Sequence, residues 1–223
     1  STLMRSSAAS DVYKRQLDSS ARYQLKMLDS LDNFTRKHSE GVANITCRIC
    51  DYLHLNKDFT TYCTTCAYLH DIGKMFIPPS ILQKPSRLTD EEYEIMKTHT
   101  TIGYKMCMND VNLRPYSAGP KCHHEALNGT GYPEGLKGDA IPIEAQIIRV
   151  ADEFDAIVSK RQYKSHIDIS DALKIIIENT LPSTNAPASK YSKEGKNNKL
   201  VVKKLISVVL DCLLYTSPSP RDA

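Results

Sequence analysis

The stretch CAYLHDIGKMFIPP (Cys66–Pro79) sets His70 beside Asp71, with Lys74 three residues on, inside an apolar run. Burying an imidazole and a carboxylate where core residues belong costs free energy unless something offsets it. Reading outward, Phe59, Cys63, Cys66 and His70 recur at helical spacing, and Pro78–Pro79 stop the chain after them. Upstream, His38, Val42, Ile45, Ile49 and Leu53 share one face of a helix from Phe34 to about Leu55, so His38 points inward. Downstream, LTDEEYEIMKTHTTIGYKM (Leu88–Met106) opens with a capping box from Thr89 to Glu92. It carries Ile95, His99, Ile102 and Met106 on one stripe.

The stretch ALNGTGYPEGLKGDAIP (Ala126–Pro142) is crowded with Gly and Pro and reads as a long shaped loop. Pro142 suits the first turn of the next helix, whose inner face holds Ile147, Ala151 and Phe154. SDALKIIIEN (Ser170–Asn179) and KLVVKKLISVVLD (Lys199–Asp211) are the last two helices. The polar segment between them, 180–199, is expected to be mobile. No strand alternation and no internal repeat stands out. The predicted fold class is an all-α bundle with a long Gly/Pro-rich loop.

Composition bounds the function. A chain of 223 residues, 41% hydrophobic and 25% charged, has the profile of one soluble globular domain. Its formal charge of +3 is too small to argue for a nucleic-acid partner. No apolar run reaches the roughly 18 residues that a membrane span needs. The longest candidate, LVVKKLISVVLDCLLY, is broken by Lys203, Lys204 and Asp211. Seven cysteines without a disulfide framework fit a reducing cytosol, so a cytoplasmic location is expected.

The two ends stand apart. SSAASDVYKRQ (Ser6–Gln16) resembles the translation of a transposase sequencing adaptor, and CLLYTSPSPRD (Cys212–Asp222) that of its partner. Residues 1–16 and 212–223 are therefore expected to be non-native, and 17–211 to be the domain, as a fragment that has lost its true termini.

Separate predicted helices each carry an inward histidine: His38, His70 and His99. The segment HHE adds His123 and His124, and VADEFDA adds Asp152. One buried histidine is ordinarily a hydrogen-bonded core residue. Five histidines with Asp71 and Asp152 on inner faces are different, because such a cluster is stable when divalent cations take its lone pairs. Seven groups exceed what one tetrahedral zinc uses, and they suit two metals with one carboxylate bridging.

The order H … HDxGK … H … HH … GYP … D resembles the HD-GYP branch of the HD-superfamily phosphohydrolases. The matching blocks are LHDIGKMFIPPSILQKPSRLTDEEYEIMKTHTTIG, HHE, NGTGYPEGLKGDAIP and ADEFDAIVSKRQYK, from about Phe34 to Lys164. The resemblance implies an HD-superfamily helical bundle that hydrolyses cyclic di-GMP to pGpG, and onward to GMP in some members. It implies His38, His70, Asp71 and Asp152 around one metal and His99, His123 and His124 around a second, with Asp71 bridging. Iron or manganese is the implied metal. Lys74 would contact the scissile phosphate or leaving oxygen, Arg161 and Lys164 would grip phosphate and guanine, and Gly131, Tyr132 and Pro133 would wall the substrate. A hydroxide shared by the metals would be the nucleophile.

This chain departs from the family pattern at named positions. Phe34 stands where some members carry a Glu that holds a third metal, so a dinuclear site is expected. Ala126 and Asn128 replace an Arg and an Asp before GYP, and Gln162 replaces a Pro. These changes leave three readings open: a cyclic di-GMP phosphodiesterase, the same chemistry on another cyclic dinucleotide, or a silent module that senses nucleotide or binds a diguanylate cyclase. A lost upstream sensory or receiver domain is a further expected partner. The pairs CRIC (Cys47–Cys50) and CTTC (Cys63–Cys66) have zinc-site spacing, but their helical setting favours packing.

Overall fold

The structure is a computed structural model that describes residues 33–159, 168–182 and 195–216, with residues 19, 22, 23 and 26. The described residues are helical with no strand, as the periodicity predicts. Helix α1 (Asn33–Tyr52) turns through His54, at φ 55, into α2 (Lys57–Leu69). The side chain of Asn56 accepts from Phe59 N at 2.8 Å and caps α2, satisfying a donor that has no partner within the helix. A 3₁₀ turn (Ile72–Phe76) and the short α3 (Pro79–Leu82) lead to α4 (Asp90–Asn109), which starts at the expected Thr89–Glu92 capping box. Then come α5 (Ala118–Cys122), the Gly/Pro loop, α6 (Ile143–Val158), α7 (Ile169–Glu178) and α8 (Lys199–Thr216).

The core lies between α1, α2, α6, α7 and α8, with Ile49, Leu69, Ile147, Ile148, Ile176 and Leu205 fully enclosed. Each such side chain contributes on the order of 1.5–3 kcal/mol of transfer free energy. Helix α6 packs against α1, α2, α5, α7 and α8 and is the strut on which those elements close. A smaller cluster of Cys122, Ile141 and Ala145, with Leu127 and Leu136 against it, pins the Gly/Pro loop to the bundle.

Helix α4 corrects one expectation. Ile95, placed on the inner stripe by periodicity, is exposed at 42%. The buried line is instead His99, Gly103 and Cys107, with Thr100 beside it. The reason is a close crossing of the 3₁₀ turn over α4. A Cβ on Gly73 would stand 2.0 Å from His99 O and 2.6 Å from Gly103 N. Backbone atoms cannot move aside as a side-chain tip can. Gly73→Ala is therefore expected to destabilise the fold by about 3 kcal/mol or more. That is a fall of roughly 6–12 °C in Tm by thermal melting.

The segment 180–199 is partly described. Its two ends are tied down: Thr180 and Asn197 are buried, Lys196 N donates to Asn179 O at 2.7 Å, and Leu127 N donates to Lys196 O at 3.0 Å. Residues 183–194 and 1–16 lie outside the described residues, and α8 runs through position 211 to Thr216. No helix among the described residues is long and apolar enough to cross a membrane.

Cys47, Cys50, Cys63 and Cys66 are all free and buried. Burial, with the neighbouring Asp51 carboxylate, pushes the Cys47 thiol up to about 12, and Cys63 and Cys66 also rise. Among the described residues, no group of donors close enough to hold a metal includes a cysteine. The thiols pack as small apolar fillers. A Cys63→Ala, Cys66→Ala double variant is expected to keep its metal content unchanged, as measured by elemental analysis.

Candidate metal centre

The side chains converge from distant points in the chain. His38 comes from α1, His70 from the end of α2, Asp71 from the residue after it and His99 from α4. His123 ends α5, His124 follows it, and Asp152 lies on α6. His70 Nε2 is 3.2 Å and His99 Nε2 3.4 Å from the two oxygens of Asp71, and His123 Nε2 is 3.9 Å from Asp71 Oδ1. His38 Nε2 lies 3.0 Å from Asp152 Oδ1, and His124 Nδ1 lies 3.9 Å from Asp152 Oδ2. Three groups have donor atoms within 4.8 Å of one another: His38, His70 and Asp152; His99, His123 and His124; and His70, Asp71 and His123, which joins the other two.

Local backbone orients the rings. His70 Nδ1 donates to Ala67 O at 2.6 Å, His99 Nδ1 to Met96 O at 2.7 Å, and His123 Nδ1 to Gly119 O at 3.0 Å. A carbonyl only accepts, so a ring bonded this way keeps a proton on Nδ1 and, when neutral, presents a bare Nε2 lone pair to the cavity. His99 Nε2 and His123 Nε2 then face each other at 3.3 Å with no proton between them. His70 Nε2 and Asp71 Oδ1 are fully enclosed with no hydrogen-bond partner. Such lone pairs repel, and an enclosed carboxylate oxygen without a donor is costly, unless a cation sits among them. The donor set fits divalent metal.

Charge agrees with this. Burial pulls the imidazole of His99 down to about 4 and that of His124 to about 3, and it holds His123 well below the usual range. All three are neutral at pH 7. Burial disfavours ionisation of Asp71, but the adjacent His70 and Lys74 outweigh it and hold the carboxyl well below its usual range. Asp152 is likewise held down against burial, chiefly by His38. His38 is the exception. Burial lowers it, yet Asp152 and Asp155 more than compensate and raise it to about 9.

Lys74 Nζ lies 2.5 Å from Asp71 Oδ2 and is partly open to solvent. The Gly/Pro loop closes one side. Gly131 fits where a Cβ would meet Ala126 N and His124 O at 2.4 Å. The Tyr132 ring lies 4.7 Å from the His124 ring, with Tyr93 and Lys97 beyond it at the rim. Pro133 follows in the same wall, half-buried. Arg161, Lys164 and His166 lie outside the described residues, as does the side chain of Phe34; His54 is exposed.

Two functional carboxylates were missed by sequence reasoning. Asp155 accepts from His38 Nδ1 at 2.6 Å; its signal was the i, i+3 spacing from Asp152, which puts both on one face. Glu125, within HHE, accepts from Glu134 N at 2.7 Å and Leu136 N at 2.9 Å and so shapes the loop. Arg149, also missed, donates to His124 O at 3.2 Å and to Asn197 Oδ1 at 3.0 Å.

A helical bundle whose buried imidazoles and carboxylates meet at one point defines an all-α protein with a histidine–aspartate metal-type centre. The sequence model of the HD domain matches residues 22–182, and the chain belongs to the HD domain family, in its HD-GYP branch. The chain is 42% identical over 158 residues to the cyclic di-GMP phosphodiesterase of Thermotoga maritima, covering 68% of this chain and 43% of the relative. It is 34% identical over 154 residues to the 3'3'-cGAMP-specific phosphodiesterase 3 of Vibrio cholerae, covering 69% and 34%. It thus spans less than half the length of either. In fold it resembles an HDG"Y"P protein of Bdellovibrio bacteriovorus, with a TM-score of 0.61 at 19% identity, over 90% of this chain and 64% of that one.

Proposed function

We propose that this domain is a metal-dependent phosphodiesterase that opens cyclic di-GMP to linear pGpG. The observation that carries the reading is the pair of donor triads joined through Asp71, with bare lone pairs turned on one another. The named activity of the Thermotoga relative supports the substrate. In this reading His38, His70, Asp71 and Asp152 hold one divalent ion and His99, His123 and His124 hold a second, with Asp71 shared. Iron or manganese suits an oxygen- and imidazole-rich set of this kind. Bound cations would supply an activated water and neutralise phosphate charge.

The remaining work falls to the chain. Lys74 is partly exposed beside Asp71, within reach of a phosphate oxygen or the departing 3′ oxygen, where its charge offsets charge that builds up as the bond breaks. Gly131, Tyr132 and Pro133 form the wall that orients the nucleotide and limits water, and Arg161 and Lys164 are assigned to phosphate and guanine. A cytoplasmic location accords with seven free cysteines.

The relation to a cGAMP-specific enzyme favours a second reading, the same chemistry on a mixed cyclic dinucleotide. Ala126 is buried, and the Asn128 side chain is occupied by Thr130 N and Oγ1. The deciding experiment is anaerobic loading with Mn(II) or Fe(II), then product analysis over cyclic di-GMP, cyclic GMP-AMP, cyclic di-AMP and pGpG. Linear pGpG from cyclic di-GMP is expected. Tight nucleotide binding without turnover under either metal would overturn the assignment in favour of a silent sensing module.

A further inference from the structure

Asp155 stands apart from the donor groups, and its geometry points to a distinct task. It lies one turn after Asp152 on α6, is 1% exposed, and belongs to none of the three donor sets. Its Oδ2 accepts from His38 Nδ1 at 2.6 Å, while Asp152 Oδ1 faces the other nitrogen, Nε2, at 3.0 Å. Two carboxylates spaced i, i+3 on one helix therefore clasp a single imidazole contributed by α1, 117 residues away in sequence from Asp155. His70, His99 and His123 differ: their Nδ1 atoms rest on carbonyls of the backbone three or four residues before them.

The fold makes room for this arrangement. A Cβ on Gly41 would stand 2.2 Å from Asp155 Oδ1, so the carboxylate reaches His38 only because α1 carries Gly there. Ser159 Oγ donates to Asp155 Oδ2 at 3.0 Å and fixes the carboxylate from the end of the helix. An enclosed carboxylate is costly, and packing alone would be served better by an apolar residue of similar size. We infer that Asp155 is a positioning residue. It holds the His38 proton on Nδ1, turns Nε2 toward the metal position shared with His70 and Asp152, and increases the donor strength of that nitrogen by lending it negative charge.

The inference rests on the metal-site reading, and one titration separates the two. Mn(II) affinity is measured anaerobically at pH 9.5, where no proton competes for His38 Nε2, by chelator competition on the full chain, alongside metal-free thermal melts, for wild type, Asp155→Ala, Asp155→Asn and Ser159→Ala. Asp155→Ala is expected to lose about 10–100-fold in affinity for one ion per chain. Asp155→Asn, whose amide oxygen still accepts from Nδ1, should recover part of that loss. Ser159→Ala should lose a few-fold with its fold intact, which keeps the test decisive if Asp155→Ala unfolds. A wild type that binds no metal overturns the site reading itself. A wild type that binds while the Asp155 and Ser159 variants bind equally well overturns the positioning role alone.

Discussion

Asp71→Ala is expected to abolish turnover of cyclic di-GMP, with a loss of about thousandfold or more, equivalent to about 4 kcal/mol of transition-state stabilisation. Asp71 faces His70 and Lys74 with one oxygen and His99 and His123 with the other, so its removal disconnects both triads at once. The variant separates chemistry from folding. Asp71 Oδ1 has no hydrogen-bond partner in the metal-free protein, and its loss there leaves no donor stranded on that side. Metal at about 100 times its Kd should stabilise wild type by about 2.7 kcal/mol. For a domain of this size that is roughly 5–11 °C in Tm, a gain the variant should lack. Retained activity, or an undiminished metal-induced rise in melting temperature, would remove Asp71 from the centre.

Metal loading is expected to release a proton from His38, and its affinity to climb with pH. In the metal-free protein Asp152 and Asp155 outweigh burial and raise His38 to about 9, so at pH 7 the ring is protonated on both nitrogens. Ligation needs the Nε2 lone pair, hence that proton must leave. The sign follows directly: below about pH 9 each unit of increase strengthens binding at this position about tenfold, and above it the dependence flattens. Between pH 7 and 9 the gain is about fiftyfold. His99 and His124, at about 4 and about 3, are already deprotonated over this range and add nothing. Calorimetry in buffers of different ionisation enthalpy should count about one proton released per chain at pH 7.5. A count of zero, or an affinity flat across pH 7–9, would contradict the clasped imidazolium.

Much of the site was legible because helical periodicity records which face a residue occupies. His38, His70 and His99 recur with apolar neighbours, and all three are buried as that pattern requires. Periodicity fails at Ile95 because it registers hydrophobicity and is blind to smallness. The true contact line runs through Gly103, whose value is the absence of a side chain where the 3₁₀ turn crosses. Glu125 escaped notice for a related reason: its partners are backbone amides of the loop, which leave no mark in residue type.

The chain by itself determined its helical class, the shaped loop and the inventory of imidazoles and carboxylates, since spacing along a helix and the conformational limits of Gly and Pro are local properties. Only the tertiary structure decided which of those groups meet. Asp71 came to lie between two triads, Asp155 came to bear on His38, and the opposing lone pairs of His99 and His123 came within 3.3 Å. These relations depend on how far one helix slides and turns against another, and that is set by the packing of whole faces over long sequence separations.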